Sequence, residues 1–486
     1  MVAQWNKIGL GQFIEVTLNF ISQFCFQKYQ IAKYSDGQKE VKMLNKKHEK
    51  HAKLIWLIRF FVIIVLIMPI FSVAQDSWPQ WRGPTRDGKV QNGQWLTSLD
   101  EKHLTELWRV RLGPSYSGPI LSENMVFVTE TQNKQYEVVR AFDRQNGQEL
   151  WKTSWEGKMN VPFFAGKRGS WIRSTPAFDG ERLYVSGMRD VLFCLHSEDG
   201  RVIWELDFID QFSTPLPNFG FVSSPLVIDQ HVYVQAGASF VKIDKYTGTV
   251  IWRSLEDAGG MYNSAFSSPY LTSIFDQQQI LVQTRNVLAG ISLETGNKLW
   301  SHDVPAFRGM NILTPTIRQN LVFTSSYGGA TFGFELNKTE NSWKIKEKWK
   351  DPAQGYMSSP IIISDYVYLH LRNRRMACFN IKTGKREWIT SKRFGEYMSM
   401  IAQDDLILAL NDRGVLLLIK ANPEQFDLVD SRKICDDSTW AHLAVTTNRI
   451  WVRELHALTV YKWELPGDTK ALINTIPSPI PRVLTQ

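Results

Sequence analysis

The chain has 486 residues, 43% of them hydrophobic and 12% aromatic with 18 Trp, which excludes a disordered or fibrous protein and leaves ample material for a large core. Its formal charge of +8 is concentrated at the start: residues 1–74 hold 10 Lys and Arg against 4 Asp and Glu, while the rest hold 46 against 44. A body so close to neutral excludes a phosphate-binding surface spread over the whole molecule, and nucleic acid is not an expected partner.

In chain order, residues 1–42 precede a second candidate start, Met43, and read as an upstream over-extension. Residues 43–74 have the layout of a secretory signal: a cationic flank (Asn45 to Lys53), an apolar run from Leu54 to Phe71 broken by Arg59, then Ser72-Val73-Ala74 before a cut. A retained membrane anchor is the competing reading, and would be the only route by which the chain meets a membrane. Either way the positive flank stays cytoplasmic and the remainder is exported to the periplasm or cell envelope. No Cys stands at the expected cut, so lipid anchoring is not implied. Beyond it, Cys194, Cys378 and Cys435 form an odd, widely spaced set, which is not a disulfide framework.

Residues 75–105 read as an N-terminal extension, 106–465 as one repeat array, and 466–486 as a flexible tail. Within the array one frame recurs. Ala141 to Trp151, Cys194 to Trp204, Lys242 to Trp252, Gly290 to Trp300 and Cys378 to Trp388 each place Gly four residues before Trp. From 31 Gly and 18 Trp about one such spacing is expected by chance. A period of 40 to 50 residues signals repeat architecture. The second copy is the clearest. Ser174 to Phe178, an alternating Arg182 to Ser186, Val191 to Leu195 and Val202 to Leu206 read as four short strands, separated by Asp-Gly and Gly turns. Four antiparallel strands per copy make a propeller blade.

Each copy opens on Ser/Thr-Pro, at Pro176, Pro225, Pro269, Pro315 and Pro360, with Gly118-Pro119 as a variant. Weaker copies open at Met398 and Trp440, and the fifth carries an insertion around Asn337 to Lys348. The count is eight. Leu107 to Val110, with Trp108, looks like a fourth strand that precedes its blade, and pairing it with the last copy would close the ring. The expectation is an all-β, eight-bladed β-propeller of four-stranded antiparallel blades, with seven blades as the fallback. Trp108, Trp151, Trp204, Trp252, Trp300, Trp349 and Trp388 are read as structural docking residues between blades.

The frame Ala-x-Asp-x-Thr-Gly-x-x-x-Trp resembles the tryptophan-docking motif of PQQ-like, quinoprotein-type propeller repeats. Residues 77–88, SWPQWRGPTRDG, resemble the opening of exported bacterial proteins that carry them. The resemblance implies fold over 77–465. For function it implies two classes: quinoprotein dehydrogenases, which would need PQQ with calcium, and BamB-like non-enzymatic scaffolds. The chain has no Cys-Cys pair and no Cys-x-x-Cys-His haem site, and no set of carboxylates can be nominated for calcium. No catalytic constellation and no metal-ligand spacing stands out. The expected function is therefore a monomeric binding or scaffold propeller, without cofactor, for an envelope protein, peptide or glycan. A PQQ-dependent oxidoreductase is the alternative.

The site is sought where the loops joining one blade to the next meet the turns between strands two and three. The first set is aromatic, including Trp171, Tyr262, Tyr356, Tyr397 and Trp440. Arg173, Asn263, Arg285, Arg308 and Arg372 supply directional donors. His442, beside Trp440, is the histidine to mutate first.

Overall fold

The computed structural model describes residues 77–90, 95–257, 264–340 and 342–464, all within the second of the two units into which the chain divides, Ser72–Gln486. The candidate start at Met43, the apolar run 54–71, the tail and the site candidates Tyr262 and Asn263 lie outside the described residues. Among the described residues no helix is long and apolar enough to cross a membrane.

Eight four-stranded antiparallel sheets form the blades of a ring. The second consists of Ala177–Phe178, Arg182–Gly187, Val191–His196 and Val202–Asp207, each within two or three residues of the sequence expectation. One departure is informative. Arg182–Gly187 is buried on both faces rather than alternately, because its neighbours cover both sides of the blade. Only outermost strands show the solvent alternation, as in Glu149–Glu156 and Asp427–Lys433. The insertion of the fifth blade is a hairpin extension, Thr331–Lys338 paired with Trp343–Asp351. Ring closure follows the expected route: the strand Leu104–Arg111 runs antiparallel to Ala457–Trp463 and completes the eighth blade.

The recurrent frame has a geometric cause. In the five copies of the frame the residue ten positions before Trp is its cross-strand partner, as in Ala141↔Trp151, Cys194↔Trp204, Lys242↔Trp252 and Cys378↔Trp388, and a bulge follows at once. The frame Asp makes the turn: Asp143 Oδ1 accepts from the Gln145 and Asn146 N–H groups. Most of these indoles then leave their blade and lie on the outer turn of the next, a Gly turn except for Trp388, which meets the Asn422 turn. Trp151 Nε1 donates to Ser197 O at 2.8 Å, Trp204 to Lys245 O at 3.1 Å, Trp349 to Ile381 O at 2.8 Å and Trp388 to Asn422 O at 2.9 Å. A Cβ on Gly296 would stand 2.7 Å from the Trp252 ring, and one on Gly147 would stand 2.7 Å from Trp108, which carries the contact across the closing seam. Trp300 differs. The fifth blade lacks the Gly turn, and its indole donates instead to Gln279 within its own blade at 2.6 Å.

Candidate functional site

The inner strands set the site's floor plan. Proline at the head of a strand withholds no ladder bond. The hydroxyl residue just before it does the joining. The backbone N–H groups of Gly118, Thr175, Ser224, Ser268 and Thr314 donate in turn to the hydroxyls of Thr175, Ser224, Ser268, Thr314 and Ser359, at 3.0 to 3.3 Å. A chain of hydrogen bonds thus links six consecutive blades around the axis.

The segment Trp78 to Val90 crosses this axis. Trp78 bridges Leu121 of the first blade, Pro79 O accepts from the Phe178 N–H of the second, and Gly88 and Val90 exchange backbone bonds with Ala402 of the seventh. Its two fully buried arginines reach opposite walls. Arg82 Nη2 donates to Pro360 O at 2.5 Å, and Arg86 donates to Pro225 O at 2.5 Å and Ser224 O at 3.0 Å. Both guanidinium groups lie against the Trp81 ring, 5.5 and 5.6 Å from its centroid. Burial pulls Arg82 down to about 10 and, with Arg82 beside it, Arg86 to about 9, so both remain charged at neutral pH.

Above Trp81 opens a cup of about 560 Å³. Its base holds the five hydroxyls and His442, and its wall is built from the loops between blades. His442 meets Trp81 edge-on at 5.8 Å, and its Nδ1 lies 3.0 Å from Leu443 O. Burial, with the positive charge of Arg82, lowers its pKa to about 3, so it stays neutral and is no proton shuttle near pH 7. Tyr397 stacks on Trp440 at 5.8 Å and Tyr356 lies 4.7 Å from Tyr327. Arg173 lies over Tyr116, and Arg308, at a left-handed φ of 55°, lies over Phe307 and Phe164.

The structure therefore brings Arg173, Arg308, Tyr356, Tyr397, Trp440 and His442 into one cup. Three other candidates do not themselves line the cup. Arg285 is ion-paired with Asp257 beside a separate small cavity. Arg372 lies 4.5 Å over Tyr327 and donates to Gln354. Trp171 folds back on Gly169, with its carbonyl accepting from Arg173 Nε. Several polar turn residues fasten blades together: Asp190 accepts from the Gly237 N–H at 2.9 Å, and buried Arg453 donates to Gly113 O at 2.6 Å. Sequence reasoning missed Trp81, Arg82, Arg86, Tyr116 and Tyr327. The first three lie in SWPQWRGPTRDG, which carried a resemblance but no visible task.

The described lining of the cup does not fit the calcium that a PQQ site would require. Among the described residues its lining has no carboxylate and no side-chain amide, and no cluster of three His, Cys, Asp or Glu residues could hold a metal ion.

A family profile described as outer membrane protein assembly factor BamB matches residues 135–390 and 357–424, together more than half of the chain. A curated relative of that same description, from Moranella endobia (strain PCIT), is 17% identical over 325 residues, covering 65% of this chain and 69% of its own length. Among solved structures, BamB from Moraxella catarrhalis superposes with a TM-score of 0.53 at 14% identity, over 74% of this chain and all but 2% of that one, its coverage being 98%. A europium-containing methanol dehydrogenase does so with a TM-score of 0.58 at 9% identity, over 80% and 98% of the two chains. At these identities the structural likenesses establish the fold alone. With its eight Trp-docked blades and this match, the chain belongs to the PQQ-like, BamB-type β-propeller repeat family.

Proposed function

We propose that the protein is an exported, non-catalytic propeller that binds or scaffolds a partner in the cell envelope through the cup above Trp81. The observation that carries this reading is the chemistry of the lining. Among the described residues it offers aromatic faces, hydroxyls and two arginines, but no side chain poised to take a proton near neutral pH, since the histidine there is held neutral down to about pH 3. Such a surface holds a ligand well and has little with which to transform it. The family match and the BamB relatives, assembly factors by description, support an envelope role for this chain.

The likeness to a methanol dehydrogenase keeps a quinone-dependent oxidoreductase as the alternative reading, against which the missing calcium donors count. The test is thermal melting of the purified protein with PQQ and calcium, alongside a dye-linked alcohol oxidation assay. The expected result is no rise in Tm and no turnover. A clear stabilisation with dye reduction would overturn the non-catalytic reading.

A further inference from the structure

The base of the cup has a donor–acceptor imbalance. A serine or threonine hydroxyl can accept and can also donate one hydrogen. Thr175, Ser224, Ser268, Thr314 and Ser359 each spend acceptor capacity on a backbone N–H of the preceding blade. Among the described residues none of the five donates a hydrogen bond to a protein acceptor, Thr314 Oγ1 accepting a second time from Ser267 Oγ at 3.4 Å, and all five line the cup. Five O–H donors thus stand around the base. No carboxylate or side-chain amide in the described lining offers acceptors to balance them. The charge has the same sign. Arg173 and Arg308 are in the wall, and behind the floor two fully buried guanidinium groups lie against Trp81. Among the described residues the hydrogen-bond partners of Arg86 are two carbonyls and the Gln80 amide oxygen. A complementary ligand must present acceptors and negative charge.

The walls say what carries that charge. A flat aromatic acid needs a slot between parallel ring faces. The near-parallel pair here, Tyr397 and Trp440 at 14°, is already stacked on itself. The other wall pairs are tilted: 45° for Tyr327 and Tyr356, 56° for Phe219 and Phe266, and 74° for Phe307 and Tyr327. Tilted faces around a cup suit puckered rings, whose C–H faces pack on aromatic surfaces at varied angles. A volume of about 560 Å³ lies within the usual range for small-ligand sites and has room for a short chain of such rings.

We infer that the cup binds an acidic oligosaccharide, its sugar rings packed on the aromatic wall and a uronate carboxylate directed to the hydroxyl ring above Trp81. This rests on the non-catalytic binding reading and names its ligand class. The probe is trigalacturonate, titrated calorimetrically into the mature protein at low and high salt. Its fully methyl-esterified form is the neutral control, and naphthalene-2,6-dicarboxylate the flat acid. Trigalacturonate should bind, the ester roughly tenfold more weakly or worse, and Arg308→Met should lose a similar factor while keeping the wild-type melting curve. Trp440→Ala, checked in the same way, should weaken both sugars. Equal affinity for acid and ester, preference for the flat acid, or no binding of trigalacturonate would each overturn the assignment. Should trigalacturonate fail while PQQ and calcium also leave the Tm unchanged, the ligand class falls and the non-catalytic reading stands. Turnover with PQQ would remove both.

Discussion

At the scale of single residues, the most legible positions are those that recur. The Gly of the Trp frame was visible because five copies share one phase, and its role is the close seating of an indole. Gly200, at φ 72°, is buried under Trp151, whereas Gly180, at φ 104°, sits in a turn where a Cβ would meet nothing within 4 Å. Both substitutions strain the backbone by about 1–2 kcal/mol, but only Gly200→Ala also pushes the indole off its seat. Denaturant unfolding should therefore show Gly200→Ala losing at least about 2 kcal/mol more than Gly180→Ala. Equal losses would contradict the docking account. The less legible positions are buried acids, whose partners lie far away in sequence. Glu137 accepts from Trp155 Nε1 at 2.8 Å and from the Met188 N–H at 2.9 Å, and burial raises its pKa from 4.5 to about 7. In the interval between those values the folded chain holds a proton that the unfolded chain has lost. Stability from this group is thus complete below about pH 4.5 and declines as pH rises to about 7. Glu137→Gln removes that decline. Its Tm relative to wild type should climb across that interval and then level off, by an equivalent of up to roughly 3 kcal/mol. A pH-independent difference would contradict the assignment.

At the scale of elements, the strands of the second copy were read to within two or three residues, while the axial segment was read as an N-terminal extension with a resemblance and its bracing role was missed. Strands announce themselves by local patterning and turn residues. Trp78 to Val90 has turn residues, Gly83-Pro84 and Asp87-Gly88, but no strand alternation, and its meaning lies in partners such as Pro360, 278 positions from Arg82. The same holds for the Ser/Thr-Pro openings: the proline marked a strand start, but nothing local showed that the hydroxyl before it would bond to the next blade. The structure makes the axial segment a crosspiece between opposite blades. Arg86→Met leaves the Ser224 and Pro225 carbonyls buried without their donor, which costs roughly 1–3 kcal/mol, offset in part because a buried charge is also removed. The variant should melt at lower temperature and the emission of Trp81, which Arg86 covers, should shift. An unchanged Tm and spectrum would mean that the segment does not brace the ring.

At the scale of the whole molecule, the ring was legible because closure is a topological demand: eight opening strands require eight outer ones, and Leu104–Arg111 was the segment available. The cup was half legible. Loops from non-adjacent blades converge on the axis, so Arg173, Arg308, Tyr356, Tyr397, Trp440 and His442 come together although up to 269 positions separate them (173 to 442). Arg285 and Arg372 belong to turns whose radial position no local pattern encodes: ion pairing holds Arg285 beside a separate cavity, and Arg372 stacks on the cup ring Tyr327 without itself lining the cup. On the proposed reading the fold is a frame that carries its binding cup at one end of the axis. Site-specific photocrosslinking in the producing cells tests this most directly, with a benzoylphenylalanine placed at Phe164 or Tyr356 in the cup, or at Ile251 on an exposed outer strand. The account predicts adducts from the two cup positions and none from Ile251. Adducts from Ile251 with a silent cup would contradict it.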